Sequence, residues 1–132
     1  LENYCKVISV EALTMLEMAK KDILPASLAY ARILADGIAA RKAVDAGLLE
    51  EEERSLLNKV SLLCGSLIKK TEALDRAMLG EHGEEGLAHA TYMRDAVLPA
   101  MGELRAVGDE LETLVPSDLW PFPTYGDLLF SV

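Results

Sequence analysis

Glu51-Glu52-Glu53-Arg54-Ser55-Leu56-Leu57-Asn58-Lys59-Val60-Ser61-Leu62-Leu63-Cys64-Gly65-Ser66-Leu67-Ile68-Lys69-Lys70-Thr71-Glu72-Ala73-Leu74-Asp75-Arg76-Ala77-Met78-Leu79 decides the fold. Within it Leu56, Val60, Leu63, Leu67, Lys70, Leu74 and Ala77 alternate steps of four and three, the spacing of one face of an α-helix in heptads. Leu57, Cys64 and Ile68 flank that row and widen it. A wide apolar stripe suits a helix packed among several others better than a two-stranded coil. Glu50 to Glu53 place negative charge in the first turn, where the helix dipole favours it. The acidic run therefore reads as a solvated helix start rather than a metal site, because a cation needs ligands converging from a second element.

Two more helical segments flank this one. The third runs from about Glu85 to Val115, with Leu87, Ala90, Arg94, Val97, Met101, Leu104, Gly108, Leu111 and Val115 at steps of three and four. Met93, Leu98 and Leu114 widen its stripe, and Arg94 interrupts it as Lys70 interrupts the second. The first segment runs from about Val10 to Val44, with Leu13, Leu16 and Ile23, then Leu28, Ala31, Ala35 and Ile38, on its apolar side. Asp45-Ala46-Gly47 ends it, with Gly47 suited to the left-handed position past a helix end. Gly80-Glu81-His82-Gly83-Glu84-Glu85-Gly86 and Val115-Pro116-Ser117 mark the other two breaks. No run alternates apolar and polar residues long enough for a strand. Short connections make neighbouring helices antiparallel, so the expected fold is all-α: an up-down-up bundle over residues 1–115, with helices of roughly 45 Å. Residues 116–132 form a separate tail.

Pro25 and Pro99 each lie inside a helical segment, where the ring removes a donor and presses on the carbonyl four residues back. Both helices are expected to kink there. Each proline lies about fifteen residues into its segment, which would put the two kinks at one height. Lys21-Asp22-Ile23-Leu24-Pro25-Ala26 and Arg94-Asp95-Ala96-Val97-Leu98-Pro99-Ala100 are also alike. A shared bend that shapes a docking surface and a pair of prolines tolerated by packing both fit this pattern.

The tail differs from everything before it. Leu119-Trp120-Pro121-Phe122-Pro123-Thr124-Tyr125-Gly126-Asp127-Leu128-Leu129-Phe130 holds four of the seven aromatic residues. Two prolines one residue apart forbid a helix, and disordered tails are poor in aromatics. The segment reads as an extended, ordered peptide that docks by Trp120, Phe122, Tyr125, Leu128, Leu129 and Phe130. Its surface is either an open seam of its own bundle or a neighbouring domain.

Composition removes several function classes. The chain has 132 residues, 51% hydrophobic and 27% charged, enough for one domain with a core. A net charge of -9 argues against nucleic acid and against an anionic membrane surface. The longest uncharged stretch is short of a membrane span, and no signal-peptide pattern opens the chain. Cys5 and Cys64 read as free buried thiols in a cytoplasmic setting. The chain opens on Leu1 without a methionine, which fits a piece of something longer.

No catalytic constellation is legible. His82 and His89 are seven apart but have no cysteine near them in sequence, and both read as surface residues. Gly80, Gly83 and Gly86 form a turn without the Lys-Ser/Thr of a phosphate loop. No Glu-x-x-His pair marks a di-iron bundle. Met15, Met18, Met78, Met93 and Met101 are spread over all three segments as core filling. No catalytic, cofactor-binding or metal-binding residue is assigned.

Particular stretches carry a resemblance. Val10-Glu11-Ala12-Leu13-Thr14-Met15-Leu16-Glu17-Met18-Ala19 with Asp22-Ile23-Leu24-Pro25-Ala26, then Met93-Arg94-Asp95-Ala96-Val97-Leu98-Pro99-Ala100-Met101 continuing through Leu104-Arg105 to Asp109-Glu110-Leu111-Glu112, and then the tail Leu119 to Phe130, resemble the C-terminal region of type III glutamine synthetases. The tail is the most specific part and the second helix the least. The resemblance implies a parent enzyme that is a glutamate–ammonia ligase of nitrogen metabolism, dependent on ATP and Mg and assembled as a large two-ring oligomer. It implies as partners the parent's own catalytic domain upstream and neighbouring subunits. None of that family's metal-binding glutamates or nucleotide-contacting arginines has a counterpart here. The chain thus reads as a helical accessory and assembly domain. The rivals are a free-standing helical protein-interaction module, binding through its kinked face, and a small bundle enzyme with a cofactor between helices.

Overall fold

The computed structural model describes residues 1–48, 50–80 and 85–123. Three long helices account for most of them, and no strand occurs among the described residues. The first comprises α1 (Glu2–Met18), a π-helical turn (Ala19–Ile23) and α2 (Leu24–Val44). The second is α3 (Glu51–Leu79). The third comprises α4 (Gly86–Tyr92), a π-helical turn (Met93–Val97) and α5 (Leu98–Leu114).

Cross-helix pairs fix the directions. Lys20 meets Asp75 at 2.7 Å and Arg41 pairs with Glu53, so the first helix and α3 are antiparallel. Lys70 reaches Glu103 at 3.5 Å, and the Tyr92 hydroxyl donates to the Ala77 carbonyl at 2.7 Å, so α3 and the third helix are antiparallel too. The bundle runs up, down, up.

The row read in α3 lies inward: Val60, Leu67 and Leu74 are buried, and Leu56, Leu63, Lys70 and Ala77 half-buried. In the third helix Ala90, Val97, Met101, Leu104, Gly108, Leu111 and Val115 are buried as expected. Two positions there differ. Leu87 is exposed, and Met93 takes the inward place expected of Arg94, whose guanidinium pairs outside with Asp95 at 2.9 Å. Met93 opens the π turn, and the larger turn presents its side chain, rather than the next one, to the core.

The first helix departs further from its expected outline. It starts at Glu2, about two turns before Val10, and its buried row is Cys5, Ile8, Ala12, Leu16 and Ala19. Small core residues at a close helix contact leave a faint hydropathy signal, while Leu13, Leu28 and Ala35 stand exposed. Beyond Pro25 only Ser27 and Ile38 are buried in α2. Gly47 is not left-handed, since Gly86 alone has positive φ among the described residues. Instead Asp45 goes extended and its carboxylate accepts from the Gly47 N–H at 2.8 Å, an Asx turn that ends α2.

Both π turns sit directly before a proline. Leu24 N–H donates to Ala19 O and Leu98 N–H to Met93 O, each five residues back. Widening the turn eases the crowding between a proline ring and the preceding carbonyls. The prolines do not share a height, however. Ile23 faces Gly108, where an added Cβ would meet its Cδ1 at an ordinary van der Waals distance of 3.7 Å. Pro25 lies two residues past that level and Pro99 nine before it, which separates them by roughly 15 Å along the bundle. The expectation of one height counted from Val10 and failed with that start.

Candidate functional site

Past α5 the chain turns on Pro116, whose carbonyl accepts from the N–H groups of Leu119 and Trp120, both at 3.0 Å. This turn drops Trp120 against the bundle, where it is 8% exposed. Phe122 packs on it edge to face, with ring centroids 6.2 Å apart and planes at 80°. Pro121 fixes the backbone between them. The two rings help line a groove of about 580 Å³ between the first and third helices. Met15, Met18 and Ile23 line one wall, Met101 and Leu104 the other, and Leu67 of α3 also reaches it. Its polar lining residues include Glu11, Asp109, Glu112 and Arg105. The Trp120 indole N–H is buried and has no hydrogen-bond partner among the described residues. Tyr125, Leu128, Leu129 and Phe130, together with His82, lie outside the described residues.

The groove lies where α1 and its π turn face α5, and no α2 residue lines it. α1 packs against α3, α4 and α5, whereas α2 packs chiefly on α3. The side of α2 away from α3 is left open: Leu28 is 49% exposed, Ile33 54% and Val44 83%.

The distal end of α2 is tied to α3 by charge. Lys42 and Arg54 both reach Glu50, at 3.3 and 2.6 Å, beside the Arg41–Glu53 pair. Burial pushes the Glu50 carboxyl up, but Arg54 and Lys42 outweigh it and hold it below the ordinary value. Glu50 and Glu53 are thus ion-paired rather than simply solvated. At the other end, Tyr92 closes the α3–α4 connection on an Ala77 carbonyl left over at the helix end. Cys5 and Cys64 are free and buried, and burial raises the Cys64 thiol. Among the described residues no group of three or more metal-ligating side chains comes together. Sequence reasoning missed Ser27, whose fully buried hydroxyl lacks a partner among the described residues, and the Lys20–Asp75 and Tyr92–Ala77 ties. A lone serine within an apolar helix was the available signal for the first.

Residues 1–42, in effect the whole first long helix, match the family model described as the glutamine synthetase C-terminal domain. Over 135 aligned residues, spanning all of this chain and 19% of the relative, the sequence is 37% identical to a glutamine synthetase from Butyrivibrio fibrisolvens. The chain belongs to the glutamine synthetase C-terminal domain family. A type-3 glutamine synthetase from Dictyostelium discoideum is 28% identical over 98% of the chain and 18% of its own length. A glutamine synthetase from Bacteroides fragilis (strain YCH46) is 21% identical over 99% of the chain and 19% of its own length. The chain thus spans about a fifth of the length of these glutamine synthetases. No solved structure matches it.

Proposed function

We propose that this chain is the helical accessory and assembly region of a type III glutamine synthetase, and that it holds a docking surface rather than an active site. The carrying observation is the uncovered side of α2. A helix that exposes large apolar side chains on its free side suits a place inside something larger, and Leu28, Ile33 and Val44 are 49%, 54% and 83% exposed. Burying each of these side chains would contribute about 1.5–3 kcal/mol. The cover is the remainder of the parent polypeptide or a neighbouring subunit of a large homo-oligomer. The relative named as a type-3 enzyme, aligned over nearly the whole chain, supports the type III assignment.

In this reading the parent joins ammonia to glutamate with ATP and Mg in the cytoplasm. The described residues offer no metal-ligating cluster, so no step of that reaction is assigned to them. By length and composition Glu2–Val44 would also cross a membrane. Arg32 and Asp36 argue for a protein cover instead, since each charge at mid-bilayer costs about 2.5–3.5 kcal/mol. The net charge of -9 supports a reading without nucleic acid. In this reading Pro25 and Pro99 bend their helices beside the two π turns, and the first bend carries α2 away from α5. Trp120 and Phe122 anchor the tail.

Removing residues 1–132 from the parent enzyme tests the proposal. Analytical ultracentrifugation should show loss of the large oligomer, with glutamine formation falling alongside it. An intact oligomer with full activity would overturn it, as would a start codon just upstream of Leu1.

A further inference from the structure

Resting on the reading that α2 is covered in the parent enzyme, we propose that its cover is the same side of α2 in a second copy of this chain. The two helices run antiparallel, related by a two-fold axis level with Leu34.

Charge selects this partner. The chain carries a net charge of -9, so most of its surface repels a second copy. From Leu24 to Ala40 the only charged residues are Arg32 and Asp36, one of each sign. Arg41 and Lys42, at the far end, are taken up by Glu53 and Glu50. Arg32 meets Asp36 on its own helix, Nε to Oδ2 at 3.8 Å, with the two side chains 84% and 74% exposed. An ion pair that open contributes little by itself. An antiparallel second copy changes its surroundings. Residues 32 and 36 lie equally far from residue 34, so the two-fold axis brings Arg32 of each copy level with Asp36 of the other. Four alternating charges then share one face, where α2 alone holds a loose pair. A parallel two-fold pairing would set Arg32 beside Arg32 and Asp36 beside Asp36, and like charges oppose it.

The register that the charges choose also sorts the apolar residues. Pro25, Leu28, Ala39 and Ala43 are exposed on the same side of α2 as Arg32 and Asp36. In the antiparallel pair Pro25 comes level with Ala43, and Leu28 with Ala39 and Ala40. The two copies of Ile33 lie on one edge, about 3 Å apart along the helix direction. Alanines opposite the larger groups let the backbones approach to roughly 8 Å, the short end of ordinary helix spacing, so that Leu28 is covered rather than held off. A different covering surface would have to supply its own matching charges and hollows. A second copy carries both already.

Hydrogen–deuterium exchange of residues 24–44 in the intact parent enzyme reads the contact. Arg32→Asp alone and Asp36→Arg alone each set like charges opposite one another in every pair. Each should quicken that exchange about tenfold, with residues 2–23 unchanged to show that the bundle is intact. Co-producing the two variants in equal amounts supplies copies of opposite charge, and the mixed enzyme should recover most of the lost protection. Arg32→Asp combined with Asp36→Arg in one chain restores the alternation and should exchange like the unmodified enzyme. Protection that is lost in the single variants and not regained on mixing would overturn the proposal, because the cover would then be another part of the parent. Protection that survives both single substitutions would overturn it too. Both of those results leave residues 24–44 protected in the unmodified parent, so the accessory-domain reading would stand. Unprotected residues 24–44 in the unmodified parent would sink both.

Discussion

The first long helix has two halves that differ in what covers them rather than in how apolar they are. Before Pro25, Cys5, Ile8, Ala12, Leu16 and Ala19 form a continuous buried row against both other helices. After it, α2 leans mainly on α3 and buries only Ser27 and Ile38, while Leu28 and Ile33 face outward. The π turn and proline between them mark the change. Hydropathy along a helix tells how much surface needs covering, and the neighbours determine how much of it is covered within this chain.

The contrast can be broken most forcefully in the first half. Leu16→Ala should cost the isolated chain about 2–5 kcal/mol, measured by urea denaturation, because it empties a packed site. Ile33→Ala should change stability by no more than about 0.5 kcal/mol in the same assay, since more than half of the side chain is exposed. Equal losses at the two positions would erase the distinction. Next in size is Gly80→Ala. The glycine has ordinary φ, but a Cβ there collides with the Tyr92 hydroxyl that caps Ala77. Overpacking of this kind should cost roughly 1–3 kcal/mol. Tyr92→Phe combined with it should recover part of the loss.

Ser27→Ala sits at the junction of the halves and should raise stability by about 1 kcal/mol, because it removes a buried hydroxyl that makes no bond. A loss instead would mean that the hydroxyl has a partner. The smallest effect concerns acid. Glu50 is held below its ordinary value of 4.5, so its ionised form stabilises the fold above that pH, and the contribution fades as pH falls through the lowered value. Amide exchange at the α2–α3 connection should therefore quicken selectively under those conditions, and Glu50→Gln should abolish the pH dependence there.

Much of the bundle was legible because α3 uses large aliphatics on a heptad row broken only at Lys70, as at Val60, Leu67 and Leu74. The first helix was harder because its contacts use Cys5, Ala12 and Ala19, while the conspicuous Leu13 and Leu28 face outward. Met93 and Arg94 both satisfied the spacing, and only the π turn chose between them. The prolines announced a disturbance at two places but not the widened hydrogen bonds that resolved it. Trp120 was visible as an anchor; its groove was not, because the groove depends on where the Pro116 turn returns the chain.

The central claim is that the open side of α2 is covered in the parent enzyme. Hydrogen–deuterium exchange of residues 24–44, compared between this chain alone and the intact parent, tests it most directly. The account predicts at least tenfold slower exchange in the parent for residues 24–44, with residues 2–23 nearly unchanged. Identical exchange of residues 24–44 in the two settings would contradict it.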